Sequence, residues 1–150
     1  MAASADIRLS TLIRDKTTEL GFDLCGIARA RRLSECESLL TRWCAEGMHD
    51  KMNYLIRDIN KRANPEILFP GAKSMIVTGL NYYTDKRQKQ PDVPLVSIYA
   101  LGKDYHDLIT ARLEKLLSCV KSIVPEAEGR AFCDDAPVLE KPWAVEAGLG

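Results

Sequence analysis

Hydrophobic residues spaced three and four positions apart predict three long helices. They cover residues 6–20, 33–46 and 103–123, and in each the apolar side chains fall on one face. Gly21, Gly47 and Pro125 follow them as stop signals. The third pattern is the most strongly amphipathic, and Asp104 stands where a carboxylate can cap its first free N–H groups.

Three runs rich in apolar residues predict strands. Residues 22–28 alternate roughly, residues 74–83 are nearly all apolar and indicate a central strand, and residues 95–101 form a third run closed by Gly102. A short helical turn is predicted from Pro65, ending before Pro70. Helices and strands therefore mix along the chain, which is typical of an α and β domain.

Composition and charge narrow the class of protein. The 150 residues carry 21 basic and 21 acidic side chains, so overall charge does not mark a nucleic-acid binder. No apolar run approaches a membrane span, and no secretory signal opens the sequence. The five cysteines are irregularly spaced, without a C-x-x-C pair, so we expect reduced thiols in the cytoplasm.

Two adjacent acids, Asp134 and Asp135, are the first candidates for chemistry. They follow the small apolar residues 131–133, which look like a strand, and precede Pro137 and a helix-like segment. An acid delivered to the end of a strand can line a cleft and, partly withdrawn from water, donate a proton. The alternative is that Asp134 or Asp135 caps the following helix, and the local pattern alone favours the cap.

Other polar residues have both a structural and a functional interpretation. Arg62 lies in a basic stretch with aromatic residues, which is either a solvated helix or a ligand wall. Lys86, Arg87 and Lys89 could meet phosphate, but a solvated loop suits them better. His106, at a helix start, is more typical of a structural residue than a catalytic one.

A family resemblance rests on several short segments in a fixed order. They are Gly47-Met-His, Met52-Asn-Tyr-Leu, Lys61-Arg-Ala-Asn-Pro, Leu68-Phe-Pro-Gly-Ala-Lys-Ser, Val77-Thr-Gly-Leu-Asn-Tyr, Ser97-Ile-Tyr-Ala-Leu-Gly-Lys-Asp-Tyr-His and residues 132–150. Together these segments resemble epoxyqueuosine reductase, a family that uses cobalamin and iron–sulfur clusters in the last step of queuosine synthesis on tRNA.

The resemblance implies a fold and a domain plan. Residues 1–150 would form an N-terminal α+β domain, with a mixed, largely antiparallel sheet flanked by helices, similar to nitroreductase and cobalamin-processing folds. This domain would form one wall of the cobalamin site. A ferredoxin-like domain with two 4Fe–4S clusters would follow beyond residue 150, so the chain is expected to be a fragment that is inactive by itself.

The resemblance also implies partners and site residues. The substrate would be tRNA carrying epoxyqueuosine, with electrons from a donor protein or small reductant, and we expect a cytoplasmic monomer without a membrane anchor. Asp134 matches the proton donor, which leaves Asp135 to cap the helix. Arg62, Ser97, Tyr99 and Lys141 match the cobalamin wall, although an Arg is usual at the position of Lys141. The reaction would replace the epoxide by an alkene and release water.

Two other functions remain open at this point. The chain could be a non-catalytic module that binds cobalamin or flavin, or it could be an enzyme like the flavin nitroreductases. Cluster-binding cysteine motifs or a bound flavin would separate these alternatives.

Overall fold

The computed structural model describes residues 2–85, 87–89 and 92–150, with side chains from residue 7 onward. Its elements, in chain order, are α1 (Ala2–Glu19), β1 (Leu24–Arg29), α2 (Ser34–Ala45), α3 (Tyr54–Arg57), α4 (Ile59–Ala63), α5 (Pro65–Leu68), β2 (Ser74–Gly79), a 3-10 helix (Ile98–Leu101), α6 (Tyr105–Ile123) and α7 (Glu140–Glu146). None of the described helices is both long enough and apolar enough to cross a membrane.

In the described ranges the sheet consists of β1 and β2, paired antiparallel. The register runs from Leu24 opposite Gly79 to Arg29 opposite Ser74. This arrangement confirms a mixed α+β fold with antiparallel pairing and flanking helices. The strand predicted over residues 74–83 is present but ends at Gly79.

The strand predicted over residues 95–101 is wrong. Ile98–Leu101 form a 3-10 turn, and Leu95 is 91% exposed, so no neighbouring strand covers this run. A short apolar run does not by itself distinguish a strand from a helical turn.

The three long helices are confirmed within a few residues, and Asp104 caps α6 by accepting a hydrogen bond from the backbone N–H of His106 at 2.9 Å. The predicted helix cap by Asp135 is wrong. The N-cap of α7 is Leu139, and Asp135 Oδ1 instead accepts a hydrogen bond from the backbone N–H of Cys133 at 3.0 Å. Residues 131–133 do not form a strand.

Helix α7 covers one face of the sheet through Trp143, which is 1% exposed and packs with Ala28 and Leu33. Burying roughly 200 Å² of indole at about 25 cal/mol per Å² stabilises the fold by about 5 kcal/mol. Gly26 permits this approach, because a Cβ there would lie 2.4 Å from the carbonyl oxygen of Ala147.

Helix α6 is held against the N-terminal part of the chain. It packs on α1, and Arg112 Nη1 donates a hydrogen bond of 2.8 Å to the carbonyl oxygen of Gly21. Gly21 has a φ of +83°, the left-handed conformation in which glycine commonly ends a helix. These contacts fix the helix whose first turn carries the site.

Candidate functional site

Asp134 lies in the loop before α7 and faces the first turn of α6. The Tyr105 hydroxyl donates a hydrogen bond to Asp134 Oδ2, and the Asp134 backbone N–H donates one to Glu140 Oε1 at 3.1 Å. Asp134 has a φ of +57°, a left-handed conformation that is uncommon for residues other than glycine. Contacts from two helices thus hold this strained residue in place.

His106 lies between two carboxylates. Its ring nitrogen Nδ1 is 2.7 Å from Asp104 Oδ1, and its Nε2 is 3.8 Å from Asp134 Oδ2. The imidazole stacks on the Tyr105 ring, with ring centroids 4.1 Å apart and an interplanar angle of 25°. The contact of Nδ1 with Asp104 and the stacking on Tyr105 together fix the orientation of the imidazole ring.

These contacts shift the pKa values of the cluster. The hydrogen bond with Asp104 raises the pKa of His106, and hydrogen bonds from the His106 backbone and ring lower the pKa of Asp104. The hydrogen bond to Asp134 raises the pKa of Tyr105 to about 12. At neutral pH the phenol is therefore a donor, and the imidazole carries more positive charge than a free histidine.

Two further side chains border Asp134. Cys133 is 8% exposed, and its burial raises the thiol pKa to about 11, so the sulfur stays a neutral thiol. Glu140 is exposed at the start of α7, and partial desolvation of its carboxyl group raises its pKa, while its Oε1 accepts the Asp134 backbone N–H. The buried thiol beside Asp134 is therefore not a competing nucleophile at neutral pH.

A row of tyrosines extends from Asp134 toward an open groove. Tyr105 meets Tyr99 edge to face at a centroid distance of 5.9 Å, and Tyr99 meets Tyr82 at 6.2 Å. The groove has a volume of about 510 Å³ and includes Leu24, Tyr82 and Ile98 in its walls. Tyr82 is 67% exposed, so the row offers an aromatic surface to a large ligand.

Comparison with known proteins shows similarity to one family. The family model described as epoxyqueuosine reductase QueG, DUF1730, matches residues 62–135, the stretch that holds α6 and Asp134. Epoxyqueuosine reductase of Cyclobacterium marinum is 40% identical over 140 residues, which is 93% of this chain and 45% of that protein. The chain is similar to epoxyqueuosine reductases along nearly its whole length. The relative in Pseudomonas aeruginosa is 42% identical over 148 residues, which is 95% of this chain and 41% of that protein.

A solved structure agrees with the fold. The crystal structure of a selenomethionine-labelled epoxyqueuosine reductase superimposes with a TM-score of 0.82 at 23% identity, covering 96% of this chain and 39% of that one. The chain spans less than half the length of the curated epoxyqueuosine reductases described above.

The structure brings together some of the residues predicted from the family resemblance. Tyr99 reaches Asp134 through Tyr105, while Ser97 is exposed at the start of the 3-10 helix. Lys141 is exposed in the first turn of α7, directly after Glu140. None of the contacts found among the described side chains joins Lys141 to Asp134.

Arg62 lies on α4, apart from this cluster. Its guanidinium carbon is 5.5 Å from the centre of the Tyr54 ring, and Nη2 donates a weak hydrogen bond of 3.5 Å to the Tyr54 carbonyl oxygen. Its Nε is buried, with no hydrogen-bond partner among the described residues. A donor in that state has capacity left for a ligand's carbonyl oxygen.

Residue types and spacing alone do not predict the roles of Tyr105 and Glu140 or the contact of His106 with Asp134. The available signal was the Asp104-Tyr105-His106 triplet, which lies in one of the segments that carry the resemblance. Capping by Asp104 accounts for the first residue of the triplet, and only the fold shows that the other two reach Asp134.

Proposed function

We propose that this chain supplies the acid of an epoxyqueuosine reductase, an oxidoreductase that removes the epoxide oxygen of epoxyqueuosine in tRNA to give queuosine. In this proposal residues 1–150 form the N-terminal domain at the cobalamin site. The ligands of the 4Fe–4S clusters lie outside this chain. Similarity to the epoxyqueuosine reductases and the cluster around Asp134 support the proposal.

The proposed reaction requires two electrons and two protons. Cleavage of both C–O bonds leaves an alkene, and the oxygen departs as water. Cobalamin, when bound, supplies the electron chemistry, with electrons delivered through the clusters. The protein has to protonate the oxygen as it leaves, because an alkoxide is a poor leaving group. A well-placed carboxylic acid can accelerate such a step on the order of 10²–10⁴-fold.

The observation that carries this role is the way Asp134 is held. The Tyr105 hydroxyl donates a hydrogen bond to Oδ2, His106 Nε2 lies 3.8 Å from the same oxygen, and Glu140 adjoins the same carboxyl group. The side chain of Asp134 is 49% exposed, so a substrate can reach its carboxyl group. The tyrosine row leads from Tyr105, which contacts Asp134, to Tyr82 in the wall of the groove.

The cobalamin wall in this proposal consists of Arg62, Ser97, Tyr99 and Lys141. The Tyr99 ring, which is 50% exposed, suits the apolar face or edge of a large ring system. The unpartnered Nε of Arg62 suits a side-chain amide of the cofactor. The ammonium group of Lys141 makes a single hydrogen bond or ion pair at a position where an Arg guanidinium would make two parallel hydrogen bonds.

The proposed partners are tRNA carrying epoxyqueuosine and an electron donor protein or small reductant. We further propose that the protein acts as a monomer in the cytoplasm. With 21 basic and 21 acidic residues, overall charge provides no attraction for tRNA, so a local patch or other parts of the protein would make those contacts.

The test uses the complete reading frame that encodes this chain, expressed in bacteria that lack their own epoxyqueuosine reductase. Mass spectrometry of tRNA nucleosides should show queuosine in place of epoxyqueuosine. Asp134→Asn should abolish this conversion while cobalamin stays bound to the purified protein. Full conversion by that variant would remove Asp134 from the mechanism. Absence of conversion by the wild type, with a bound flavin, would favour the flavin-dependent alternative.

A further inference from the structure

We propose that His106 is the proton source of this site. In this proposal Nε2 of the imidazolium passes its proton to Oδ2 of Asp134, and Asp104 holds the ring in the orientation that makes this transfer possible. The inference rests on the proposed function, because it adds the residue that charges the acid with its proton.

The need for a proton source follows from exposure. An aspartic acid in water is ionised at neutral pH, so a carboxyl group that donates a proton there needs either burial or a neighbouring acid. The Asp134 side chain is 49% exposed, which argues against burial. The neighbouring acid within reach is His106, whose Nε2 lies 3.8 Å from Oδ2.

Asp104 determines which ring nitrogen faces Asp134. Its Oδ1 accepts the His106 backbone N–H at 2.9 Å and lies 2.7 Å from ring Nδ1. Nδ1 therefore carries a proton toward Asp104, which leaves Nε2 as the nitrogen that gains and loses protons. Stacking on Tyr105 fixes the ring plane. A small rotation of either side chain would shorten 3.8 Å to hydrogen-bond distance.

The proton transfers balance. Each of the two C–O cleavages consumes one proton. The Nε2–H bond of His106 breaks and an O–H bond forms at Oδ2 of Asp134, and Asp134 then gives a proton to the departing oxygen and becomes a carboxylate. Neutral His106, whose side chain is 45% exposed, regains a proton from the solvent before the next transfer. Rotation of the carboxyl group brings the protonated oxygen to the substrate, and after the second cleavage the oxygen has received two protons and leaves as water.

The charges around the pair keep His106 protonated at neutral pH, so that a proton is present to be transferred. The hydrogen bond and charge of Asp104, with the charges of Asp134 and Asp107, raise the pKa of His106. On the Asp134 side the ionisable neighbours are Tyr105, Cys133, Asp135 and Glu140, among which the phenol and the thiol are neutral. No cation among them competes with the imidazolium.

A purely structural role for His106 accounts for less of the geometry. Its backbone N–H completes the cap of α6, and any residue at this position could provide that group. The cap requires neither the contact between ring Nδ1 and Asp104 nor the approach of Nε2 to Asp134.

The first experiment measures the imidazole titration in this chain by NMR. His49 is the other histidine and serves as the internal reference. The wild-type midpoint of His106 should lie above about 6.5, the ordinary value. Asp104→Asn, which keeps a capping oxygen, should lower it most, and Asp134→Asn should lower it by a smaller amount. An unchanged midpoint in Asp134→Asn would overturn the coupling between the two side chains.

The second experiment measures the pH dependence of queuosine formation with the complete reading frame. Wild-type turnover should fall as the pH rises through the pKa of His106, because the imidazolium is lost. His106→Gln should reduce turnover on the order of tenfold or more and remove this alkaline limb. Asp104→Asn should move the limb to lower pH. Thr110→Ala, exposed one turn further along α6, is the matched control and should keep the wild-type profile.

The outcomes separate this inference from the proposed function. If Asp134→Asn abolishes turnover while His106→Gln keeps the wild-type rate and profile, Asp134 remains the acid and His106 is not its proton source. If Asp134→Asn keeps full activity, the proposed role of Asp134 fails, whatever His106 does. Circular dichroism of each variant establishes that the fold is retained.

Discussion

The Tyr105 hydroxyl donates a hydrogen bond to Oδ2 of Asp134 and thereby joins the first turn of α6 to the loop that precedes α7. The phenol has to keep its proton to make this contact, and the carboxylate has to be the acceptor. Ionising the phenol would place two negative charges side by side, which is why the pKa of Tyr105 rises to about 12.

This relationship predicts the titration of one tyrosine among five. In the wild type Tyr105 should remain protonated up to a pH near its raised pKa of about 12, and Asp134→Asn should return this pKa toward about 10 because the negative charge is gone. NMR of isotope-labelled tyrosine measures this shift. Asp135→Asn is the matched control, since Asp135 bonds the Cys133 backbone. Identical Tyr105 curves in the wild type and Asp134→Asn would contradict the contact.

The backbone conformation of Asp134 predicts that two common substitutions differ in stability. With a φ of +57°, the position suits asparagine, which tolerates the left-handed region, better than alanine. Asp134→Ala should therefore be less stable than Asp134→Asn by about 1 kcal/mol. Urea unfolding of both variants measures the difference. Equal midpoints and slopes would show that the loop relaxes freely at this residue.

Gly26 should tolerate no side chain. A Cβ at this position would lie 2.4 Å from the Ala147 carbonyl oxygen, so Gly26→Ala has to displace the end of α7. We expect a loss of roughly 1–3 kcal/mol in the free energy of unfolding. Gly102→Ala is the control, because no atom lies within 4 Å of its Cβ and its φ is −107°. A Gly26→Ala variant as stable as Gly102→Ala would refute the close packing.

Cys133 should react slowly with alkylating reagents although it adjoins the site. Its pKa of about 11 leaves little thiolate at pH 8, and 8% exposure limits access. Mass spectrometry after iodoacetamide treatment should show Cys119, which is only partly buried, modified before Cys133. In urea the two should react at similar rates. Faster native labelling of Cys133 would mean that the loop before α7 opens readily.

The sequence was sufficient for the elements whose signal is local. The long amphipathic pattern of α6 and the capping aspartate before it required no knowledge of the rest of the chain. The composition of residues 95–101 resembles that of a strand, but a strand also requires a neighbouring strand to pair with. In the structure these residues include a 3-10 turn, and Leu95 is left exposed. Asp135 was assigned to a helix that begins only at Glu140.

The candidate site was accessible from sequence only one residue at a time. Asp134 was identified through the family resemblance, but its contacts with Tyr105 and His106 join residues 28 and more positions apart. Such contacts depend on how the loop before α7 packs against α6. Hydrophobic periodicity and residue spacing do not predict the conformation of that loop. The proposed cofactor residues Arg62, Ser97, Tyr99 and Lys141 remain predictions from the resemblance.

The pairing of β1 with β2 limits how this polypeptide can be divided. The matched family segment starts at Arg62, and so retains β2 but omits β1, the strand opposite it. That segment also ends before Trp143, which seals the apolar side of the sheet. Residues 62–135 match the family model, but they lack the strand and the helix that complete the sheet. A protein truncated to residues 62–135 would keep β2 without its partner strand β1 and without Trp143, which covers the apolar face of the sheet. Such a product should aggregate, because its strand edge and apolar face are exposed.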